Sequence, residues 1–98
     1  MCGIFALLNN KNTFTINDIN NTNLKGQRRG PEETKIEIIS NDLLFGFHRL
    51  AINGLDTSSG QPMQIDGITL ICNGEIYNYK ELFEEIKVKP TTHSDCEI

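Results

Sequence analysis

Apolar positions fall in short bursts along this chain, and their spacing changes character several times. Gly3 to Leu8 is a compact apolar run closed by Asn9-Asn10-Lys11-Asn12, which predicts a buried strand. Thr13 to Lys25 carries Ile16, Ile19 and Leu24 at loosely helical spacing, with Gly26 as a C-terminal stop. Asn17, Asn20, Asn21 and Asn23 disfavour a helix interior there. Gln27-Arg28-Arg29-Gly30-Pro31 reads as a turn-rich basic loop. Thr34 to Ile39 and Leu43 to Phe47 predict two strands joined through Ser40-Asn41-Asp42, and His48 to Ile52 continues as extended chain up to Asn53-Gly54. Asp56 to Pro62 is a loop by composition. Asp66-Gly67, between Met63 to Ile65 and Ile68 to Cys72, is a two-residue hairpin signal. Helical periodicity is clearest at Tyr79 to Lys87, where Tyr79, Leu82, Phe83 and Ile86 occupy i, i+3, i+4 and i+7. Asn78 with Glu81 makes a capping pair for that helix. Beyond Pro90, Ser94 and Asp95 are cap-type residues with no helix behind them, so the chain reads as stopping mid-element. Several antiparallel strands with few helices predict an α+β fold.

Length changes this picture little: 98 residues allow one small domain or a piece of a larger one. Lys plus Arg number 9 against 13 Asp plus Glu, a net charge of -4 that argues against nucleic-acid and anionic-membrane partners. The longest apolar run, Ile4 to Leu8, is too short for a signal-peptide core or a membrane span. With no export signal, the three cysteines read as reduced thiols and the compartment as cytoplasmic.

Candidate chemistry begins at Cys2, directly behind the initiator methionine. Loss of Met1 would give one residue both a thiol and a free α-amine, whose reference pKa lies near ~8. A nucleophile that uses its own terminal amine as base is an established catalytic device. The plain alternative is a small residue ahead of a buried strand. Asn73-Gly74-Glu75 ends an apolar run; an Asn amide and a Gly N–H can donate together to a developing oxyanion, or the pair is simply a turn. Arg49 is the single Arg in the apolar stretch Leu43 to Ile52, suited to bidentate grip on a carboxylate, or else salt-bridged or snorkelling. Glu75 and Asp95 add carboxylates that can hold an ammonium group, or are solvated charge and a helix cap. Cys2, Cys72, Cys96, His48 and His93 show none of the close pairs that zinc sites use, and Cys72 reads as a core thiol. No phosphate-binding glycine motif is present.

Met-Cys-Gly-Ile-Phe at the terminus, Arg29-Gly30-Pro31, Gly46-Phe47-His48-Arg49-Leu50-Ala51-Ile52, Gln61-Pro62-Met63, Asn73-Gly74-Glu75-Ile76-Tyr77-Asn78 and Ser94-Asp95-Cys96-Glu97 occur in this order. The series closely resembles the glutaminase domain of glutamine-hydrolysing asparagine synthetases, a class II (N-terminal nucleophile) glutamine amidotransferase. It departs from the usual His-Arg-Gly-Pro-Asp loop at Arg28 and Glu32, and has Phe47 where many members have His. The resemblance implies part of an αββα sandwich with mainly antiparallel strands, in which residues 2–98 are the N-terminal portion of the glutaminase domain. It implies that Cys2 attacks the side-chain amide of L-glutamine and that Asn73 and Gly74 form the oxyanion hole. It also implies that Arg49, Ile52, Asn73, Glu75 and Asp95 bind the substrate. No metal or cofactor is implied for this half-reaction. ATP and magnesium would serve only a synthetase domain, whose Ser-Gly-Gly-x-Asp-Ser loop is absent from these 98 residues; that domain or a second chain would complete the fold. Family glutaminase domains are considerably longer, so the competing expectation is a truncated, catalytically silent protein that binds glutamine or a partner.

Overall fold

β1 (Gly3–Leu8), β2 (Glu33–Ser40) and β3 (Leu43–Arg49) form an antiparallel sheet in the order β1-β3-β2 in the computed structural model, which describes residues 1–98. Gly3 lies opposite His48 and Leu8 opposite Leu43, while β2 runs from Glu33 opposite Arg49 to Ser40 opposite Leu43. Because Ser40 itself pairs, the connection is the two-residue turn Asn41-Asp42, tighter than the expected three. Pairing on both sides buries β3 and fixes the direction in which each of its side chains points.

Opposed residues share a face. Phe5 and Leu7 therefore lie with Ile36, Ile38 and Leu44 on one side, and Ile4, Ala6 and Leu8 with Leu43, Phe45 and Phe47 on the other. A helix, α1 (Ile16–Leu24), packs against the first side. It starts with a capping box: the Thr15 hydroxyl accepts the Asp18 N–H at 3.2 Å and the Asp18 carboxylate accepts the Thr15 N–H at 3.1 Å. Hydrogen bonds from Thr15 hold the Asp18 carboxyl below the usual carboxylate range. This cap offsets the poor propensity of the asparagines. One of them, Asn23, is a packing residue, only 2% exposed and set over Gly46. His48 joins helix to sheet: its Nε2–H donates to the Asn23 carbonyl at 2.7 Å, and its Nδ1 accepts from the Thr34 hydroxyl at 3.0 Å. A carbonyl only accepts, so these partners select the Nε2–H tautomer.

The second side is covered at one end only. Phe47 is 3% exposed, whereas Ile4 and Leu8 are 50% and 67% exposed. β4 (Met63–Ile65) and β5 (Ile68–Leu70) form a separate hairpin around Asp66-Gly67. The fold is α+β, with one three-stranded and one two-stranded antiparallel sheet. No helix is long and apolar enough to cross a membrane.

Several element boundaries differ from expectation. β3 ends at Arg49, so His48 to Ile52 is not one extended run. β5 ends at Leu70 rather than Cys72, because its partner Met63 is preceded by Pro62, which has no N–H to extend the ladder. The Cys72 N–H goes instead to Gln61 Oε1 at 2.5 Å. The second helix, α2 (Tyr79–Ile86), buries Phe83 but leaves Ile86 exposed, and the Asn78–Glu81 capping pair does not form: Asn78 sits at φ -100, ψ 24 with no side-chain cap bond. Lys87 leaves the helix in the left-handed region at φ 57. Its N–H reaches the Glu84 carbonyl and the Val88 N–H the Phe83 carbonyl, closing a Schellman end without glycine. Short 3₁₀ turns occupy Gln27–Arg29 and Thr57–Ser59, where loops were expected, and Asp95–Glu97.

Gly30 shows why Arg29-Gly30-Pro31 tolerates no side chain at its centre. A Cβ there would stand 2.2 Å from the His48 carbonyl oxygen and 2.5 Å from the Arg49 carbonyl carbon. Both are backbone atoms of the central strand and cannot yield locally. Gly30→Ala is expected to destabilise the fold by about 3 kcal/mol or more, at the upper end of overpacking costs, as read by denaturant unfolding.

Candidate active site

Antiparallel pairing of β1 with β3 carries the residue ahead of β1 alongside the residue that follows β3. The Leu50 N–H therefore donates to Cys2 Sγ at 3.3 Å, and the thiol lies 3.5 Å from the Leu50 carbonyl. Arg29, from the 3₁₀ turn that precedes Gly30, donates through Nε to the Cys2 carbonyl at 3.0 Å. Cys2 is thus fixed from two directions by segments distant in sequence. Arg29 escaped attention as a site residue because only tertiary pairing brings it there.

Arg49 points into the same region but is already engaged. Its Nη2 donates to the carbonyls of Gly54 and of Asp56, the latter at 2.8 Å, and Nη1 lies 3.6 Å from Glu33. It is 8% exposed. The expected free guanidinium is therefore also the organiser of the loop that leaves β3. Asp56 continues that organisation: its carboxylate caps the Thr57–Ser59 turn and meets His93 Nδ1 at 2.7 Å. Hydrogen bonds from Ser58 first, and His93 second, hold the Asp56 carboxyl well below the usual range.

The segment after β5 is clamped at both ends. Gln61 takes the Cys72 N–H, and Asp95 Oδ2 takes the Ile76 N–H at 2.7 Å, with Asn73, Gly74 and Glu75 between. Glu75 accepts from Asn53 Nδ2 at 3.2 Å. At Gly74 an added Cβ would meet only Cys72 Sγ, at an ordinary 3.7 Å, so neither strain nor crowding in the fold requires glycine there. Gln61, 5% exposed, is the second residue that sequence inspection did not weigh for the site, although Gln61-Pro62-Met63 marked its position.

Asp95 is 6% exposed and heads a 3₁₀ turn whose first N–H groups are capped by Ser94, so the cap-type residues do have a helix, one turn long. Cys96 Sγ lies 3.8 Å from Asp95 Oδ2 and 3.9 Å from the Gly74 carbonyl. Burial, then hydrogen bonding with Cys72 and the negative charge of Asp95, push the Cys96 thiol up to about 12. These influences favour its neutral thiol form. Cys72 is half-buried in the same wall rather than a core thiol. No three His, Cys, Asp or Glu side chains stand together as metal ligands do.

All seven residues singled out in the sequence (Cys2, Arg49, Ile52, Asn73, Gly74, Glu75 and Asp95) line one cavity of about 220 Å³. Pockets for drug-sized ligands span about 300–1,000 Å³, so this one suits a molecule nearer an amino acid in size. Its walls offer one guanidinium, two carboxylates, three amides and three thiols.

The chain belongs to the glutamine amidotransferase domain family, which matches residues 1–98. The relatives are glutamine-hydrolysing asparagine synthetases. A probable asparagine synthetase of Acanthamoeba polyphaga mimivirus is 37% identical over 78 residues, 76% of this chain and 14% of that protein. The asparagine synthetases of Gallus gallus and Homo sapiens are 34% and 33% identical over 104 residues, covering 100% of this chain. The chain spans about a fifth, 18%, of the length of those two relatives. It is homologous to their glutaminase part.

Proposed function

We propose that residues 2–98 belong to a glutaminase that hydrolyses L-glutamine to glutamate and ammonia through Cys2 once Met1 is removed. The observation that supports this best is the convergence of seven residues from four separate stretches on one amino-acid-sized cavity. The free α-amine of Cys2 takes the thiol proton, and the sulfur attacks the side-chain amide carbon. The Asn73 amide and the Gly74 N–H donate to the oxygen of the tetrahedral intermediate. As the intermediate collapses, the amine returns the proton to the leaving nitrogen and ammonia departs, leaving a γ-glutamyl thioester. Water, deprotonated by the same amine, cleaves the thioester to glutamate and restores the thiol. Glu75 and Asp95 hold the substrate ammonium, Arg49 its carboxylate, and Ile52 packs at the rim. A zwitterion needs both signs of charge, and both line this cavity. Arg49 serves in two ways, holding the loop through Nη2 while its remaining donors meet the carboxylate.

This half-reaction uses side chains and water, with no cofactor. ATP and magnesium enter with a synthetase domain, where the ammonia would serve asparagine formation. The apolar sheet side bearing Ile4, Ala6 and Leu8 fits the packing surface for the second sheet of an αββα sandwich. Three free thiols suit a reducing compartment such as the cytoplasm. The alternative is a silent glutamine-binding protein, in which a retained Met1 keeps the Cys2 nitrogen in a peptide bond. A glutamine-shaped diazoketone separates the two. Peptide mapping is expected to find Met1 absent and the label on Cys2; retained Met1 with no label would establish the silent reading.

A further inference from the structure

We infer that Glu97 is a positioning residue that holds Asp95 in place for the substrate ammonium; this rests on the glutaminase reading above. Glu97 does not line the cavity. Its carboxylate instead closes the loop that carries Asp95. Oε1 accepts the Thr91 N–H at 2.6 Å and the Thr91 hydroxyl at 2.8 Å; Oε2 accepts the Thr92 N–H at 2.7 Å and the Thr92 hydroxyl at 2.7 Å. All four are short, charge-assisted bonds from one side chain.

The chain of bonds then runs inward. Thr92 Oγ1 accepts the Ser94 N–H at 3.1 Å, and Ser94 Oγ accepts the Cys96 N–H at 3.2 Å, which brackets Asp95. Asp95 accepts the Ile76 N–H through Oδ2. The Glu97 lock therefore orients the Asp95 carboxylate. Burial alone would raise the Glu97 pKa, but the bonds from Thr91 and Thr92 outweigh it and lower it. The group is an anion at neutral pH, as the lock requires. Besides this lock, residues 91–97 are held by His93, bonded to Asp56 and Ser59, and by buried Cys96.

The test is the rate of Cys2 labelling by a glutamine-shaped diazoketone, which separates the half-saturating concentration from the maximal rate. Glu97→Ala is expected to raise the half-saturating concentration about 10- to 100-fold, the scale of a lost hydrogen-bonded charge. Its maximal rate should stay within about 2-fold, since the chemistry at Cys2 is untouched. Glu97→Gln keeps the size and one accepting oxygen, and carries the test if the alanine variant fails to fold; its rise should be about 3- to 10-fold. A probe lacking the α-amino group has no ammonium for Asp95 to hold, so wild type and the Glu97 variants should label it alike. A merely structural role would slow both probes. The inference is overturned if the Glu97 variants bind the amino probe as wild type does, or lose the maximal rate instead. Two controls keep that failure apart from failure of the glutaminase reading itself. Cys2→Ala must abolish labelling and Asp95→Asn must weaken binding; if either control fails, the underlying reading is wrong.

Discussion

Cys2→Ala is expected to abolish glutamate release, lowering kcat by about 10⁴-fold or more, because the covalent route is lost entirely. Nothing else in the cavity can take over. Cys96 is held as a neutral thiol by burial, hydrogen bonding with Cys72 and the charge on Asp95. Cys72 sits beside Gly74 and lacks an adjoining α-amine. Glutamine binding should persist in the variant, since the proposed ammonium and carboxylate contacts are those of Glu75, Asp95 and Arg49. A steady-state assay of glutamate release together with titration of glutamine into the variant checks both halves. Undiminished release from Cys2→Ala would remove Cys2 from the mechanism.

Asn73→Ala is expected to lower kcat by about 10²–10³-fold with little change in KM, the signature of a donor used mainly when charge develops on the oxygen. The segment that presents Asn73 is held by Gln61 at Cys72 and by Asp95 at Ile76. Truncating the Asn73 side chain leaves both of those clamps intact. An equal fall in kcat produced by general loosening would be accompanied by loss of thermal stability, so melting curves accompany the kinetics. A variant with full kcat would take Asn73 out of the oxyanion hole.

Local pattern carried much of the fold. Gly3 to Leu8 and the hairpin around Asp66-Gly67 were legible because strand pattern and turn chemistry are properties of a few adjacent residues. Tyr79 to Ile86 was legible from its periodicity, while its ends were not. Asn78 fails as a side-chain cap and Lys87 takes a left-handed conformation that no residue preference would suggest. The helix at Ile16–Leu24 looked weak from its asparagines, yet Thr15 and Asp18 cap it and Asn23 packs over Gly46. Neither was weighed from the sequence, and the packing depends on a glycine more than twenty residues away.

The candidate site residues came from the sequence alone: a thiol behind Met1, an Asn-Gly-Glu at the end of an apolar run, an Arg in an apolar stretch and a late Asp. Ordered motifs specify which chemical groups are available, and those groups are covalent facts. Their positions and contacts were decided by tertiary structure. Register between β1 and β3 sets Cys2 against Leu50, and the same strand pairing leaves Arg29 to hold its carbonyl. Arg49 turned out to be shared between the cavity and the loop at Gly54 and Asp56, because buried donors must be satisfied by whatever carbonyls surround them. Gly74 proved free of any steric demand from the fold, while Gly30, ordinary in sequence, has no room for a single added carbon. Long-range pairing determines distances between atoms, and a one-dimensional pattern contains none of them.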